Sequence, residues 1–135
     1  MTFMTGLDTN ILFYAIDNSD EVKHLKSIRI IQEVINKPAD FKVSLQVIAE
    51  LNYAVKRKKQ AASRLASELS EALLSFPETT VHYTEKELRL ALTENKLFDA
   101  LMAYTYVMCG CTTIYTENLK DMPKLKSIKF INPFL

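Results

Sequence analysis

The feature that most constrains the fold is a repeated pattern in which a short apolar stretch ends abruptly in polar or acidic residues. Leu7 is followed at once by Asp8, and Ile114-Tyr115 runs directly into Thr116. Between such stretches, apolar residues recur at the three- and four-residue spacing of amphipathic helices. Short buried strands that alternate with helices indicate a single α/β domain with a largely parallel sheet.

The pattern predicts about five strands flanked by helices. The strands are placed at Met1 to Leu7, Phe41 to Ser44, Thr79 to His82, Thr112 to Tyr115 and Ser127 to Ile131. The helices are placed from Ile11 onward, at Val22 to Asn36, Gln46 to Lys59, Ala61 to Ser75 and Glu85 to Glu94, and from Asp99 to a capping glycine at Gly110. No internal repeat or linker interrupts this order, so residues 1–135 are expected to form one domain.

Composition supports an ordered globular chain. The hydrophobic fraction is 48%, with only 2 glycines and 4 prolines, which argues against a disordered chain. The net charge of +1 shows no overall preference for nucleic acid, so any such surface must be local. The sequence has no secretory signal pattern and no 18-residue apolar run, so we expect a cytoplasmic protein that does not contact a membrane.

The histidines and cysteines give no clear catalytic pattern. Cys109 and Cys111 flank Gly110, a spacing that matches neither a zinc knuckle nor a Cys-x-x-Cys redox pair. Both cysteines are expected to be buried structural thiols in a reducing compartment. His24 lies on a predicted helix and His82 ends a predicted strand, and no serine or cysteine nucleophile motif accompanies either. A structural role is therefore expected for both.

Several polar residues far apart in sequence are expected at one edge of the sheet, because right-handed crossovers bring the carboxyl ends of parallel strands together. They are Asp8, Glu50, Asp99, Glu117, Asn118 and Asp121. Taken singly, Asp8 could merely cap a helix and Glu50 could merely offset a helix dipole. Taken together, clustered carboxylates repel one another unless a cation intervenes. Oxygen-only ligands favour Mg²⁺ or Mn²⁺, and such a site suits phosphodiester hydrolysis.

A run of four basic residues, Lys56, Arg57, Lys58 and Lys59, ends one predicted helix. One interpretation is a solvated last turn that complements the helix dipole. The other is contact with the phosphates of RNA. Because four consecutive residues point in different directions around a helix, they cannot all face one ligand, and both interpretations stay open.

Four segments in a fixed order carry a resemblance to a known family. They are LDTNILFY at 7–14, SLQVIAEL at 44–51, FDALMA at 98–103 and IYTENLKD at 114–121. The chain resembles PIN domains, especially the VapC-type toxins of toxin–antitoxin pairs. The resemblance implies an Mg²⁺- or Mn²⁺-dependent endoribonuclease that cleaves single-stranded or loop RNA. It also implies a homodimer neutralised by a small antitoxin protein whose tail occupies the active-site groove.

The resemblance also assigns roles to individual residues. Asp8, Glu50 and Asp99 match the family's three most regular acids, with Asp8 and Asp99 as principal metal ligands and Glu50 as a ligand or an orienter of the attacking water. Supporting roles in positioning ligands or phosphate are expected for Thr9, Asn10 and Thr116.

The fourth acid is less clear, because Asn118 stands where the family often has an acid and can offer only a neutral carbonyl oxygen. Asp121 is expected to restore the missing charge at the metal and to share in catalysis, and Glu117 is the alternative.

Other functions remain open at this stage. A PIN nuclease with a housekeeping role in RNA processing and a PIN-like scaffold without catalysis are both compatible with the sequence. A phospho-acceptor signalling domain is less compatible, because Asp99 lies in a helical context rather than at the end of a central strand. Apolar residues including Tyr53, Leu65 and Leu69 suggest a dimer surface.

Overall fold

The computed structural model describes residues 3–135. In this part of the chain the strands are β1 Thr5–Leu7, β2 Phe41–Ser44, β3 Thr80–Val81, β4 Thr113–Tyr115 and β5 Lys129–Ile131. The α-helices are α1 Thr9–Ile16, α2 Glu21–Asn36, α3 Leu45–Lys58, α4 Ser63–Leu74, α5 Glu85–Ala91 and α6 Leu97–Met108. Three short 3₁₀ turns, Pro38–Asp40, Gln60–Ala62 and Leu119–Asp121, complete the regular structure.

The five strands form one sheet in the order β3-β2-β1-β4-β5, and every neighbouring pair is parallel. The predicted α/β fold with a parallel sheet of about five strands is therefore confirmed. The central strand β1 pairs with β2 on one side and with β4 on the other, with Thr5 opposite both Phe41 and Thr113. Since all strands run the same way, their carboxyl ends lie along one edge.

A buried tyrosine ties the ends of the neighbouring strands β1 and β2 together. The Tyr106 hydroxyl, from α6, donates to the Leu7 carbonyl oxygen at 2.5 Å and accepts from the Ser44 backbone nitrogen at 3.0 Å. Its ring packs so closely on β1 that a Cβ added at Gly6 would lie 2.4 Å from the ring. A side chain at position 6 is thus excluded by packing, and the spacing between the ends of β1 and β2 is fixed by the core.

Element boundaries differ from the predicted ones mainly where caps decide them. Helix α1 begins at Thr9 rather than Ile11 because the Asp8 carboxylate accepts from the Thr9 nitrogen and caps it. Helix α6 begins at Leu97, so Asp99 lies inside its first turn instead of opening it. Gly110 follows the end of α6 with a φ of 95°, which is the predicted capping conformation.

The outer strands and several helix ends are shorter than predicted. Strand β3 excludes the predicted residues Thr79 and His82, and β5 begins only at Lys129. Helix α5 ends at Ala91, where the Leu92 backbone closes the last turn. Of the predicted first strand, Met1 and Thr2 lie outside the described residues. Within residues 3–135, the helices are all too short or too polar to cross a membrane.

Candidate acidic site at the carboxyl edge of the sheet

A groove at the carboxyl edge of the sheet gathers the predicted acids. Asp8 follows β1 directly, Glu50 projects from α3 after β2, and Asp99 projects from the first turn of α6. All three line one groove with a volume of about 470 Å³. The parallel topology thus brings together three carboxylates that are separated by more than 40 residues along the chain.

Asp8 is the most buried of these acids, with 6% of its surface exposed. Its Oδ1 accepts from the Thr9 nitrogen at 2.6 Å, and its Oδ2 accepts from Thr116 Oγ1 at 2.7 Å and from Asn10 Nδ2 at 3.3 Å. Burial raises the pKa of Asp8, although these hydrogen bonds oppose the shift. The carboxylate is therefore held in one orientation by all three predicted supporting residues.

Glu50 lines the same groove as Asp8. Its Oε1 accepts from Gln46 Nε2 at 3.3 Å and weakly from Thr9 Oγ1 at 3.4 Å. Burial raises the pKa of Glu50, and the charges of Asp8 and Asp99 raise it further. Thr9 thus contacts two of the acids, one through its backbone and one through its side chain.

Asp99 also has a pKa raised above its ordinary value. Burial first, then the charges of Asp8 and Asp121, raise its pKa to about 6, while Lys96 opposes the change. The start of α6 is fixed by Gln46, whose Nε2 donates to the Phe98 carbonyl oxygen at 2.9 Å. Within the described residues, Asp8, Glu50 and Asp99 take part in no salt bridge. Their mutual repulsion is therefore offset by no protein cation in direct contact.

The loop after β4 is fixed to the groove through its backbone and one hydroxyl. Thr116 Oγ1, besides donating to Asp8, accepts from the Asn118 nitrogen at 3.0 Å. Asn10 Oδ1 accepts from the Glu117 nitrogen at 3.1 Å. Thr116 is fully buried, so its hydroxyl serves this network alone.

Glu117 is already partnered, unlike the three central acids. Its Oε2 lies 2.5 Å from Lys23 Nζ, and its Oε1 accepts from the Tyr14 hydroxyl at 2.8 Å. The Lys23 ammonium also lies 5.0 Å from the centre of the Tyr14 ring. Sequence reasoning missed this pair, because nothing in the spacing of α1 and α2 indicates which residues meet the loop after β4.

The other two residues considered for the fourth ligand, Asn118 and Asp121, border different cavities. Asn118 is exposed at the rim of the groove. Asp121 borders a separate cavity of about 280 Å³ together with Lys96 and Lys124, yet its charge reaches Asp99. Asp121 therefore contributes to the potential at Asp99 while bordering a different cavity.

The four basic residues at the end of α3 point in different directions, as the sequence indicated. Lys58 lines the groove. Lys59 caps the end of α3 and pairs with Asp17, with Nζ and Oδ1 3.5 Å apart. Arg57 donates to the Tyr53 hydroxyl at 3.0 Å and lies over its ring, and Lys56 is exposed. Only Lys58 of this run borders the acids.

The donor set fits a hard divalent cation. Its atoms are carboxylate, amide and hydroxyl oxygens, and the carboxylates raise one another's pKa, which a bound cation would reverse. Across residues 3–135, no three His, Cys, Asp or Glu side chains are already gathered tightly enough to hold a metal by themselves. Mg²⁺ is commonly held by one or two carboxylates, with water and substrate phosphate completing the shell. Such a shell needs no larger protein cluster.

The histidines lie outside this groove. His24 Nδ1 lies 2.7 Å from the Tyr14 carbonyl oxygen, and exposed His82 follows β3. The cysteines match their prediction in part: Cys111 is buried, but Cys109 is only half-buried, because it lies at the open end of α6.

The family model of the PIN domain matches residues 6–125, a span that contains every residue of the acidic groove. The chain belongs to the PIN domain family. The predicted resemblance is thereby confirmed. Of the acids in the four motifs, Asp8, Glu50 and Asp99 line one groove, whereas Asp121 borders a separate cavity.

Solved structures with the same fold include several VapC toxins and VapBC complexes. VapC20 of Mycobacterium tuberculosis, described as a Sarcin-Ricin loop cleaving toxin, has a TM-score of 0.67 and 17% identity, covering 86% of this chain and 92% of that one. VapBC2 of Rickettsia felis, bound to a promoter DNA fragment, has a TM-score of 0.62 and 23% identity, covering 96% and 98%. DNA-bound VapBC of Salmonella typhimurium has a TM-score of 0.62 and 19% identity, covering 98% and 99%. No curated protein sequence matches the chain.

Proposed function

We propose that this PIN domain is an endoribonuclease that uses Mg²⁺ or Mn²⁺ to hydrolyse phosphodiester bonds in single-stranded or loop RNA. The observation that carries the proposal is the mutual electrostatic effect of three carboxylates on one groove. Asp8 and Asp99 each raise the pKa of Glu50, and Asp8 raises that of Asp99. Acids that purely support a fold are usually paired with cations, whereas unpaired acids in a groove suit a metal and a phosphate.

Asp8 and Asp99 are the residues that would hold the cation. Asp121 is proposed as the additional acid rather than Glu117, because Lys23 already neutralises Glu117. When bound, the cation would neutralise the charge that develops on the phosphoryl oxygens and would favour ionisation of an attacking water. This assignment explains why the fold keeps acids together at a cost in electrostatic repulsion.

The protein's own groups supply orientation and proton transfer. Glu50 has a raised pKa and faces the groove, so it is suited to accept a proton from the attacking water. Thr116 and Asn10 hold Asp8 in its orientation through the hydrogen bonds described above. Lys58 provides a positive charge for a substrate phosphate at the groove wall.

We further propose that the chain acts in the cytoplasm as the toxin of a toxin–antitoxin pair and is neutralised by a small antitoxin protein. The support is the fold shared with VapC20 and with VapBC assemblies. A housekeeping PIN nuclease would use the same groove but would need no antitoxin. Expression of the chain with and without the product of the adjacent small gene distinguishes them: growth arrest relieved by that product supports the toxin, and growth indifferent to both contradicts it.

A homodimer remains part of the proposal. Tyr53 and Leu65 expose 63% and 51% of their surfaces, as a dimer surface requires, whereas Leu69 packs partly against the core and contributes less than the sequence suggested. Light scattering at micromolar concentration should give twice the chain mass. A monomeric mass under these conditions would contradict the dimer.

The decisive experiment is cleavage of a single-stranded RNA oligonucleotide by the purified chain. Cleavage should require Mg²⁺ or Mn²⁺, stop in excess chelator and return when the cation is restored. Asp8→Asn should abolish cleavage. Glu68→Gln, which removes an exposed acid from α4, is the matched control and should cleave normally. Undiminished cutting in excess chelator would overturn the metal mechanism.

Two further variants test the choice of fourth acid. Asp121→Asn should weaken metal-dependent cleavage, while Glu117→Gln should leave the metal requirement unchanged because its carboxylate serves Lys23 and Tyr14. The reverse pattern would assign the role to Glu117.

A further inference from the structure

The two cysteines form a compact pair away from the acidic groove. Cys109 ends α6 and Cys111 precedes β4, and their Sγ atoms lie 3.8 Å apart. Gly110 between them has a φ of 95°, a conformation that glycine adopts without steric cost. This left-handed turn brings the two side chains, which are two residues apart, onto the same side of the chain.

The two thiols differ in exposure. Cys109 is half-buried and lines an open cavity of about 290 Å³ beside Met108 and His82. Cys111 is 4% exposed and belongs to the hydrophobic core. A small reagent can therefore reach one sulfur directly, and the second sulfur is sheltered next to it.

The reachable thiol is also the more easily ionised one. A hydrogen bond from the Cys111 thiol, and then the positive charge of Lys42, lower the pKa of Cys109 to about 7 against the effect of burial. Burial and the neighbouring Cys109 raise the pKa of Cys111. A thiolate that is accessible and adjacent to a second thiol is the arrangement found in cysteines that react with peroxides.

We propose that Cys109 and Cys111 are a peroxide-reactive dithiol that closes reversibly to an intramolecular disulfide. The Cys109 thiolate attacks one oxygen of a hydroperoxide, the O–O bond breaks, and hydroxide or alkoxide leaves and takes up a proton. The resulting Cys109 sulfenic acid is attacked by the Cys111 sulfur, which forms the S–S bond and releases water. The two thiols lose two electrons and two protons together, and the peroxide is reduced.

The proposal explains features that a purely structural role does not require. A structural thiol needs neither a partner sulfur at 3.8 Å nor access to a cavity. Closure requires the sulfurs to approach to a bond length of about 2.05 Å. The left-handed glycine and the end of α6 lie at a joint between two elements, where a local adjustment disturbs few core contacts. The inference is independent of the nuclease proposal, because the pair lies outside the acidic groove.

Hydrogen peroxide and intact mass spectrometry test the proposal on the full chain. Reduced protein is freed of reductant, treated with one equivalent of peroxide, and then exposed to N-ethylmaleimide. The expected product has lost about 2 Da, adds no maleimide, and regains both thiols in dithiothreitol. Tryptic peptide 97–120 contains both cysteines and should carry the change. Addition of two maleimides after peroxide, or a disulfide between two chains, would overturn the proposal.

Serine variants assign the order of attack. In Cys111→Ser the sulfenic acid at Cys109 should persist and react with dimedone. In Cys109→Ser the remaining thiol should react at least about tenfold more slowly, because it is buried and has a raised pKa. Equal rates in the two variants would contradict the assignment of Cys109 as the attacking thiol. Melting curves verify that both variants fold, and the wild-type mass change stands as a test without them.

Lys42→Met removes the positive charge near the pair and should slow the first step, while Lys126→Met, an exposed lysine elsewhere, should not. An unchanged rate in Lys42→Met would contradict the role of this charge in activating Cys109.

Discussion

At each end of α6 an ionisable group has a pKa shifted in the direction opposite to the one that the helix dipole alone would give. Asp99 lies in the first turn, where the positive end of the helix dipole favours a carboxylate, yet burial and the charges of Asp8 and Asp121 raise its pKa to about 6. Cys109 caps the other end, where the dipole disfavours a thiolate, yet the Cys111 hydrogen bond and Lys42 lower its pKa to about 7.

The two ends differ in how far along the chain the groups that shift these pKa values lie. At the first turn, the acids that act on Asp99 come from distant segments, so its raised pKa depends on the assembled fold. At the last turn, the principal partner of Cys109 lies two residues away and the activation is local. The two proposed sites, a metal site at the first turn and a dithiol at the last, thus differ in how far along the chain their partners lie.

The largest expected effect comes from Asp99→Asn, which keeps the size of the side chain and removes one charge from the first turn. If Asp99 holds the cation as proposed, RNA cleavage should fall by about 100-fold or more, because a ligand of the proposed metal is lost. Added Mg²⁺ should raise the melting temperature of the wild type and do little for the variant, since a ligand bound only by the folded state stabilises it.

The matched control is Glu68→Gln, which removes an acid of similar charge from the exposed face of α4. It should show the full shift with Mg²⁺ and full cleavage. If Asp99→Asn also kept both, Asp99 would be only a helix residue and the comparison between the two ends would fail.

A second prediction tests whether the orientation of Asp8 depends on its contact with Thr116, which lies 108 residues away in the chain. Thr116→Val preserves shape but removes the donor to Asp8 and the acceptor for the Asn118 nitrogen, so unfolding free energy should fall by about 1–3 kcal/mol. Cleavage should fall as well, because Asp8 loses its orientation. Thr112→Val, at an exposed position before the same strand, should change neither. Chemical denaturation and the oligonucleotide assay measure both effects.

A third prediction concerns how the free energy of unfolding depends on pH, because the three acids of the groove have raised pKa values. The pKa of Asp99 is about 6 in the folded protein and close to 4 in an unfolded chain, so the folded state holds more protons in between. Without metal, stability should therefore rise as pH falls from 7 towards 4, and Asp8 and Glu50 shift in the same direction.

The expected gain attributable to Asp99 is on the order of 1 kcal/mol after allowance for its partial exposure. Denaturation at several pH values in chelator measures it, and Asp99→Asn should flatten the curve. A free energy of unfolding that decreases steadily as the pH is lowered from 7 to 5 would show that repulsion among the three acids does not destabilise the folded state.

The smallest effect concerns the cations near the groove. Lys58→Ala should reduce RNA affinity a few-fold and lower the slope of log affinity against log salt by about one, because one phosphate contact is lost. Lys59→Ala should leave the slope unchanged, since that ammonium pairs with Asp17. If Lys58→Ala and Lys59→Ala both kept the wild-type slope, the basic residues at the end of α3 would be solvated side chains that do not contact RNA.

The sequence was sufficient to predict the positions of Asp8, Glu50 and Asp99. Asp8 follows β1 directly, and Glu50 and Asp99 lie within the first two turns of α3 and α6. Parallel topology brings such positions to one edge. The same logic predicted the parallel sheet, because short buried strands joined through helices have few other arrangements.

Side-chain partners across the fold were not predictable in the same way. The Lys23–Glu117 pair joins residues 94 positions apart, and no local pattern links α2 to the loop after β4. The half-exposed Cys109 was predicted to be buried, because apolar neighbours such as Val107 and Met108 mask its place at the open end of α6. Orientation around a helix end depends on tertiary packing that periodicity does not describe.

The placement of Thr116 has a consequence for the order in which the chain is made. Asp8 leaves the ribosome early, but the hydroxyl that orients it and the strand that completes the pairing of β1 follow only after α6. Since domains fold as their segments become available and non-local pairing comes late, a partly synthesised chain has no finished groove. The proposed nuclease is therefore inert towards RNA throughout most of its own translation.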